Sequence, residues 1–299
     1  MKKVSLSRRC AIALLVVLVA AIASPAQYKQ PGAVNAHDGM DWQLVKTGLY
    51  LISGQGSNTL LRLTANGLIV VDGKLPGNYD ALRARIKKIS GQPVRALILT
   101  DTDASRTGTN AKFLEDGTAI VVQENGRQSV AASNSADNKT ASVMTYDHDY
   151  QIHLGGVDAQ LMHFGNAHSN SDTVVYFPNL KVVAIGDLFA ATPNPDFASG
   201  GSLVGWSAVL AEVLKLDFDT AVPGTGPTIT RAELEAFKAK IDTLVSRATG
   251  LVNKGVPKDQ LMVQLKTDDL GWQLNFTGSQ LDHFYAELSR TSNRPANAS

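Results

Sequence analysis

Residues 96–110 read Ala-Leu-Ile-Leu-Thr-Asp-Thr-Asp-Ala-Ser-Arg-Thr-Gly-Thr-Asn. The apolar beginning of this stretch predicts a buried strand, because a short apolar run that ends in turn-forming residues is typical of one. Asp101 and Asp103 follow the strand directly, and Ser105 and Arg106 come next. The loop after the strand therefore carries carboxylates, a hydroxyl and a permanent cation, and it is the first candidate functional site.

The segments around this strand predict two sheets and outer helices. Short β-branched or apolar segments between turn signals predict strands, the first three as an antiparallel meander, at residues 49–53, 58–63, 67–72, 119–123, 153–154, 159–163, 173–177 and 182–185. Apolar residues at helical spacing predict helices at residues 78–89, 109–114, 203–216, 231–252, 258–265 and 279–288. We therefore expect an α+β fold, a four-layer αββα sandwich.

Residues 1–26 are predicted to be a secretory signal peptide. Lysines and arginines precede an apolar run at residues 11–23, which small residues and a proline then close. The run is short for a bilayer crossing, which needs about 20 residues, so no stable membrane anchor is expected after cleavage. Export by the general secretory route, or by the twin-arginine route that Arg8 and Arg9 fit, predicts a periplasmic or secreted protein.

The rest of the chain is predicted to form one domain. Residues 27–41 are expected to be a flexible lead-in, residues 42–290 the folded domain, and residues 291–299 a disordered tail. With 44% apolar and 18% charged residues, the chain can bury a full core. This composition excludes disorder of the whole chain.

Cysteine and charge content exclude several function classes. The only cysteine, Cys10, lies in the predicted signal peptide, so the exported chain would have no disulfide, thiolate metal ligand or cysteine nucleophile. The formal net charge is +1, and removal of the basic signal peptide would make the chain slightly acidic. No basic run with interleaved aromatic residues is present in the sequence, so no nucleic-acid partner is expected.

A series of ordered blocks resembles the metallo-β-lactamase fold of zinc hydrolases. The blocks are the strand ending at Thr100, Gly165-Asn166-Ala167-His168, the strand after Asp172, Gly186-Asp187, and Pro223-Gly224-Thr225-Gly226-Pro227. The family has, in the same order, a strand ending in Thr-His-x-His-x-Asp-His, then Gly-x-x-His, Gly-Asp and Pro-Gly-His-Gly-Pro. The resemblance covers residues 42–288 and implies the same sandwich, with a site formed by loops at the ends of several strands.

The resemblance also shows which residues stand at the family's metal-holding positions. Carried over position by position, these are Asp101, Asp103, Ser105, Arg106, His168, Asp187 and Thr225. Only His168 and Asp187 keep the family's residue type. Zinc prefers imidazole and thiolate ligands, and a guanidinium cannot bind a metal. Neither a dinuclear zinc centre nor zinc-dependent β-lactamase activity is therefore expected, and no cofactor is predicted in the favoured interpretation.

Two hypotheses account for the acids that remain. If Asp101, Asp103 and Asp187 converge, each pair of carboxylates at about 4 Å repels by roughly 4 kcal/mol at an effective dielectric near 20. In the first hypothesis Arg106, together with protonated His168, replaces the charge of the metal. In the second, oxygens of the three aspartates and Ser105, with His168, bind Ca²⁺, Mg²⁺ or Mn²⁺.

The function divides in the same way. In the favoured interpretation the protein is a divergent, non-zinc pseudoenzyme that binds a small molecule or partner in the family's cleft, which Arg106 and Thr225 help to line. The alternative is a hydrolase of ester, lactone or amide bonds, with Asp101, Asp103, His168 and Asp187 as catalytic candidates. A third interpretation is an Asp-dependent phosphatase, because a strand followed by Asp-x-Asp resembles the haloacid dehalogenase superfamily at that point alone.

Overall fold

The structure is a computed structural model that describes residues 39–133 and 143–292. All of these residues belong to one compact unit, Asn35–Ser299. The predicted signal peptide lies outside the described residues, as do residues 27–38 of the predicted lead-in and residues 293–299 of the predicted tail. The first described strand begins at Asp41 and the last described helix ends at Ser292.

The first sheet has seven strands in the order β1-β2-β3-β4-β5-β6-β7. Their bounds are Asp41–Lys46, Leu49–Ser53, Thr59–Thr64, Gly67–Val71, Val94–Ile98, Ala119–Gln123 and Val143–Tyr146. Strands β1 to β4 pair antiparallel, which confirms the predicted meander, and β4 to β7 pair parallel. Strand β4 is apolar and buried along its whole length, as expected for a strand covered on both faces.

The second sheet has six strands in the order β13-β12-β11-β10-β9-β8. In chain order from β8 to β13 the bounds are Asp149–Leu154, Val157–Met162, Val174–Phe177, Val182–Gly186, Thr220–Pro223 and Ile229–Thr230. Strands β11 and β12 pair parallel, and the other neighbours pair antiparallel.

Four helices lie in each half of the described chain. Helices α1 to α8 are Tyr79–Ile89, Ala104–Thr107, Asn110–Glu115, Arg127–Ser133, Leu203–Val213, Arg231–Asn253, Lys258–Gln264 and Gly278–Ser292. Helix α6 begins with a capping box in which the Thr230 hydroxyl accepts from the Glu233 amide and the Glu233 carboxylate accepts from Thr230. Among the described residues, no helix is both long and apolar enough to cross a membrane.

Three apolar clusters hold these layers together. The middle cluster joins the facing sides of the two sheets, for example through Ile69 on the first and Phe177 on the second. One outer cluster packs α1 and α3 onto the first sheet through side chains such as Leu82 and Phe113. The other packs α5, α6, α7 and α8 onto the second sheet around Trp206. The predicted four-layer αββα sandwich is confirmed.

The structure also contains elements that the sequence does not predict. These are β7 and α4 in the polar region of residues 124–149, the one-turn helix α2, and strands β1, β12 and β13. The four residues of β7 pair in register with β6, from Val143 opposite Ile120 to Tyr146 opposite Gln123. Such short segments are stabilised by pairing with a neighbour, and that pairing is not visible in local sequence patterns.

Candidate functional site

The site lies where parallel strands of both sheets end. Asp72 follows β4 and Asp101 follows the neighbouring parallel strand β5 in the first sheet. In the second sheet, Asp187 follows β11 and Gly224 follows its parallel neighbour β12. Because carboxyl ends of parallel strands meet at the same edge of a sheet, loops distant in sequence come together there.

The guanidinium of Arg106 lies at the centre of this convergence. The side chain is 1% exposed, with Nη1 3.2 Å from Oδ1 of Asp101 and Nη2 2.5 Å from Oδ1 of Asp187. Nη1 also lies 3.8 Å from a carboxylate oxygen of Asp103 and donates to the Ser105 hydroxyl at 3.3 Å. The ion pairs of Arg106 therefore connect the loop after β5 with the loop after β11.

A threonine connects this arginine to a further buried acid, Asp72. The Nε of Arg106 donates to Oγ1 of Thr100 at 3.0 Å and lies 3.5 Å from Oδ2 of Asp72. Thr100 in turn donates to both carboxylate oxygens of Asp72, from its amide at 2.8 Å and from its hydroxyl at 2.7 Å. Asp72 adopts φ +63°, an uncommon conformation for a residue other than glycine, and these hydrogen bonds hold it there.

The two aspartates of the first loop have different environments. The side chain of Asp101 is 3% exposed, and its Oδ1 accepts from the amide of Asp103 at 2.8 Å. Its Oδ2 is buried and has no hydrogen-bond partner among the described residues. Asp103 has a side chain that is 57% exposed, so most of its charge faces solvent. The structure thus places one acid inside the site and the other at its rim.

His168 and Asp187 complete the cluster. Nε2 of His168 lies 3.6 Å from Oδ2 of Asp187, and Nδ1 faces the carbonyl oxygen of Asn194 at 3.2 Å. Because a carbonyl can only accept, Nδ1 carries the hydrogen in this arrangement. One ligand atom each from Asp101, His168 and Asp187 lies within 4.8 Å of the others.

Two further predicted residues lie at the margins. The side chain of Ser105 contacts Arg106, and its backbone oxygen accepts from the Ser57 hydroxyl at 3.0 Å. Thr225 is exposed and lines a neighbouring cavity with Trp42 and Asn58. Gly224 is the residue of that loop that meets the cluster, since a side chain there would collide with the Arg106 guanidinium and the Asp187 carboxylate.

Burial and the charge of Arg106 have opposite effects on the pKa values of the buried acids in the site. Burial raises the pKa of Asp72 to about 7, although Arg106 and Thr100 favour its charged form. Burial likewise raises the pKa of Asp101, against the attraction of Arg106. Burial alone would lower the pKa of Arg106, but Asp101, Asp72 and Asp187 outweigh it and hold that pKa above its usual value. Arg106 is therefore a permanent internal cation.

Three buried ionisable residues near the site were missed as candidates in the sequence. Asp72 is one, and Lys74 is fully buried, with Nζ donating to the backbone oxygens of Ile52 and Ser57. The third, Asp172, accepts from the amides of Ala167 and Ser169 and from the Ser169 hydroxyl. Each of the three adjoins an apolar strand, and a charged residue bordering a buried strand is the signal that could have identified it.

The donor set does not fit the dinuclear zinc centre that the fold family implies. In the part of the chain that the structure describes, three potential ligands converge, and only His168 offers nitrogen. Arg106 already contacts two of these three residues. A divalent ion about 4 Å from a guanidinium would be repelled by roughly 8 kcal/mol at an effective dielectric near 20.

Comparison with known proteins shows the family. The profile of the metallo-beta-lactamase superfamily matches residues 52–225, more than half of the chain. The chain therefore belongs to this superfamily. The matched segment contains the predicted site residues from Asp101 to Thr225 and ends at Thr225 itself.

Individual relatives are distant. The chain is 26% identical over 196 residues to the 2,4-dinitroanisole O-demethylase subunit alpha of Nocardioides sp. (strain JS1661), with 64% of this chain and 60% of that protein covered. Among solved structures, it resembles a metallo-beta-lactamase from Pontibacter korlensis, with 18% identity, a TM-score of 0.60, and 68% of this chain and 99% of that chain covered. It also resembles the stereoselective inverting sec-alkylsulfatase Pisa1 from Pseudomonas sp., with 14% identity and a TM-score of 0.63.

Two of these relatives are longer than the part that this chain matches. The match to the alkylsulfatase covers 82% of this chain and 47% of that chain. The chain thus spans about 60% of the demethylase subunit and about half of the alkylsulfatase. At these identities the structural likenesses show the fold, and the relatives are of hydrolase type.

Proposed function

We propose that this protein is a divergent member of its superfamily that binds a small molecule over Asp101, His168 and Asp187 and does not use a dinuclear zinc centre. The observation that carries the proposal is the position of Arg106, whose guanidinium contacts Asp101 at 3.2 Å and Asp187 at 2.5 Å. A guanidinium matches carboxylates in charge and in geometry, so it stabilises the acids without a metal.

Two adjoining cavities supply the space for a ligand. The inner one, of about 70 Å³, is lined by Asp101, His168 and neighbouring residues. The outer one, of about 390 Å³, shares His168 and Asp103 with it and extends to Phe197 and His283. A volume of this order suits a small organic molecule, since such sites usually occupy about 300–1,000 Å³.

We also propose that the protein acts in the periplasm or in the extracellular space.

Metal binding to the purified protein tests the part of this proposal that excludes a zinc centre. Dialysed wild type, Asp187→Ala and the exposed control Asp259→Ala would each be titrated with Zn²⁺ and Mn²⁺ by calorimetry, with metal content measured in parallel. We expect the same weak, non-stoichiometric binding for all three proteins. Stoichiometric zinc in wild type and in the control, absent from Asp187→Ala, would contradict the proposal.

A second candidate function is hydrolysis of an ester, lactone or amide at an altered centre. One observation favours it: Asp101, His168 and Asp187 place three potential ligands of a single cation within 4.8 Å of one another. Hydrolysis of a panel of esters, lactones and β-lactams, with and without added Mn²⁺ or Zn²⁺, distinguishes the two candidates. Turnover that is abolished in Asp187→Ala and retained in Asp259→Ala would establish the hydrolase, whereas no turnover across the panel would contradict it.

The phosphatase interpretation has no comparable support. It requires Asp101 to attack phosphorus as a nucleophile, but this side chain is buried and paired with Arg106. The chain's membership of another superfamily also leaves the Asp-x-Asp resemblance confined to a single loop. We do not propose this activity.

A further inference from the structure

The buried acids of the site differ in how many of their carboxylate oxygens have a hydrogen-bond or ion-pair partner. Both oxygens of Asp72 accept from Thr100. Asp172 accepts from Ala167 and Ser169 with both of its oxygens. Asp187 has its Oδ1 against Arg106 and its Oδ2 facing His168. Asp101 is different, because its Oδ1 has partners while its Oδ2 is buried and has none within residues 39–133 and 143–292.

An unsatisfied carboxylate oxygen is costly to bury, so its environment indicates what it is suited to bind. Asp101 lines the inner cavity, and the residue as a whole is 2% exposed. Oδ1 of Asp101 accepts from the Asp103 amide at 2.8 Å and lies 3.2 Å from Nη1 of Arg106, an arrangement that suits an ionised carboxylate, whose oxygens can only accept hydrogen bonds. The group that completes this site is therefore a hydrogen-bond donor, and a positively charged donor is favoured over a neutral one.

The rim of the cavity has the same electrostatic character. Asp103 is largely exposed, and both Asp103 and Asp196 line the inner and the outer cavity. Among the described residues that line the inner and outer cavities, there is no lysine or arginine. Arg106 lies beneath the site, is 1% exposed, and is already shared among several carboxylates. An entering ligand would therefore meet acidic groups, which repel anions such as sulfate esters and carboxylates.

We propose that the cleft takes an organic cation, a small molecule whose protonated amine lies against Asp101 and Asp103 and whose body occupies the outer cavity beside Phe197. This inference rests on the proposed function and names the chemical class of the ligand. A single positive charge with N–H groups suits the orphaned oxygen of Asp101. It is also repelled by Arg106 half as strongly as a divalent metal ion at the same distance.

Three probes of nearly equal size test the charge preference. Benzylamine is a cation at neutral pH, benzyl alcohol is neutral and benzoate is an anion. Each would be titrated by calorimetry into metal-free wild-type protein at low ionic strength. We expect benzylamine to bind at least about tenfold more tightly than benzyl alcohol. Benzoate should be the weakest of the three.

Variants connect the preference to the named residues. Asp101→Asn and Asp103→Asn should each reduce the ratio of benzylamine to benzyl alcohol affinity, whereas the exposed control Asp259→Asn should leave it unchanged. Asp103 is exposed, so its variant is expected to fold and keeps the test valid even if Asp101→Asn does not. An unchanged ratio in Asp103→Asn would overturn the assignment of Asp103 to the ammonium site.

Several results would overturn the proposal as a whole. They are no benzylamine binding, binding of benzyl alcohol or benzoate as tight as that of benzylamine, and displacement of benzylamine by one equivalent of Mn²⁺ or Zn²⁺. The last result would also contradict the proposed function, because a metal would then be the natural occupant. The first two, in a protein that binds no metal, would reject the cationic ligand and leave the proposed function standing.

Discussion

Arg106 is the residue on which the interior of the site depends. Its guanidinium lies within 3.5 Å of carboxylate oxygens from Asp72, Asp101 and Asp187. Lysine could not replace it equally, because an ammonium group is a single point of charge and lacks the planar fork that reaches several acceptors at once. The three acids in turn come from three different strand ends, so one side chain connects parts of both sheets.

Replacing Arg106 should therefore be costly. Arg106→Met keeps much of the volume but leaves buried carboxylates without a counter-charge, so we expect a loss of about 3–5 kcal/mol in the free energy of unfolding. Arg127→Met is the matched control, because Arg127 forms an exposed pair with Glu124 and should lose at most about 1 kcal/mol. Urea unfolding at neutral pH measures both. Equal stability of Arg106→Met and wild type would show that the acids are neutral in the folded protein.

At the scale of elements, the site is held by contacts between loops of the two sheets. Nδ2 of Asn58, the residue before β3, donates to the backbone oxygen of Pro223, the last residue of β12, at 2.9 Å and to that of Gly226, in the loop that follows, at 2.8 Å. The amide of Asn58 also donates to the oxygen of Gly224 at 2.7 Å. These bonds position the loop whose glycine adjoins Arg106 and Asp187.

Removal of the Asn58 side chain should loosen this loop. Asn58→Ala leaves two carbonyl oxygens without their donor, and we expect a loss of about 2 kcal/mol in stability. Asn78→Ala is the matched control, because Asn78 donates to Leu75 and Pro76 within its own turn and should cost less. Urea unfolding gives the stabilities. Hydrogen exchange of the amides of residues 224–226 should quicken in Asn58→Ala alone, and unchanged exchange there would contradict the connection.

The long helix α6 offers an independent test at the same scale. Thr230 and Glu233 form its capping box, so Thr230→Ala should destabilise the protein by about 1 kcal/mol. The control is Thr243→Ala in the interior of the same helix, where the threonine hydroxyl bonds back to Ala239 and the change to alanine should cost little. Thermal unfolding compares the two variants. A similar cost at both positions would show that the cap adds nothing specific.

The whole molecule buries charge as well as apolar surface between its layers. Lys74 is fully buried, and burial lowers its pKa to about 7 although Asp72 favours the charged form. The unfolded chain keeps this lysine protonated up to its ordinary pKa of 10.5, whereas the folded chain releases the proton above about 7. The unfolded state therefore binds more protons between these values, and the stability contributed by Lys74 rises with pH across that window.

This linkage predicts a difference between wild type and Lys74→Met. From pH 7 to pH 10 the free energy of unfolding of wild type should rise relative to that of the variant, by up to about 4 kcal/mol. Lys88→Met, at an exposed position on α1, is the control and should follow wild type. Urea unfolding across the pH range measures the difference. A parallel course of wild type and Lys74→Met would mean that the buried amine stays charged.

Sequence patterns predicted the sandwich because its long elements carry strong local periodicity, as in α1 and α6, and because ordered blocks resembled a known fold. Of the candidate site residues that they indicated, the structure brings Asp101, His168 and Asp187 close together, and their role stays a prediction. They missed Asp72 and Lys74, whose partners come from elsewhere in the chain, such as Thr100 for Asp72. Thr225 stands at a metal-holding position of the family's motif, but it faces a neighbouring cavity, and Gly224 is the residue that lies against the cluster. A position in a motif therefore does not by itself show which residue reaches the site.

The close contacts of Arg106 also constrain how the chain can change over evolutionary time. Loss of the arginine alone would leave buried acids without a counter-charge. A histidine at position 101 alone would remove one carboxylate partner of the arginine. A set of substitutions that introduced metal ligands here would pass through such destabilised intermediates unless several positions changed together. We therefore expect substitutions at positions 101, 106 and 187 to have strongly non-additive effects, so that the order in which they are made decides whether each intermediate protein folds.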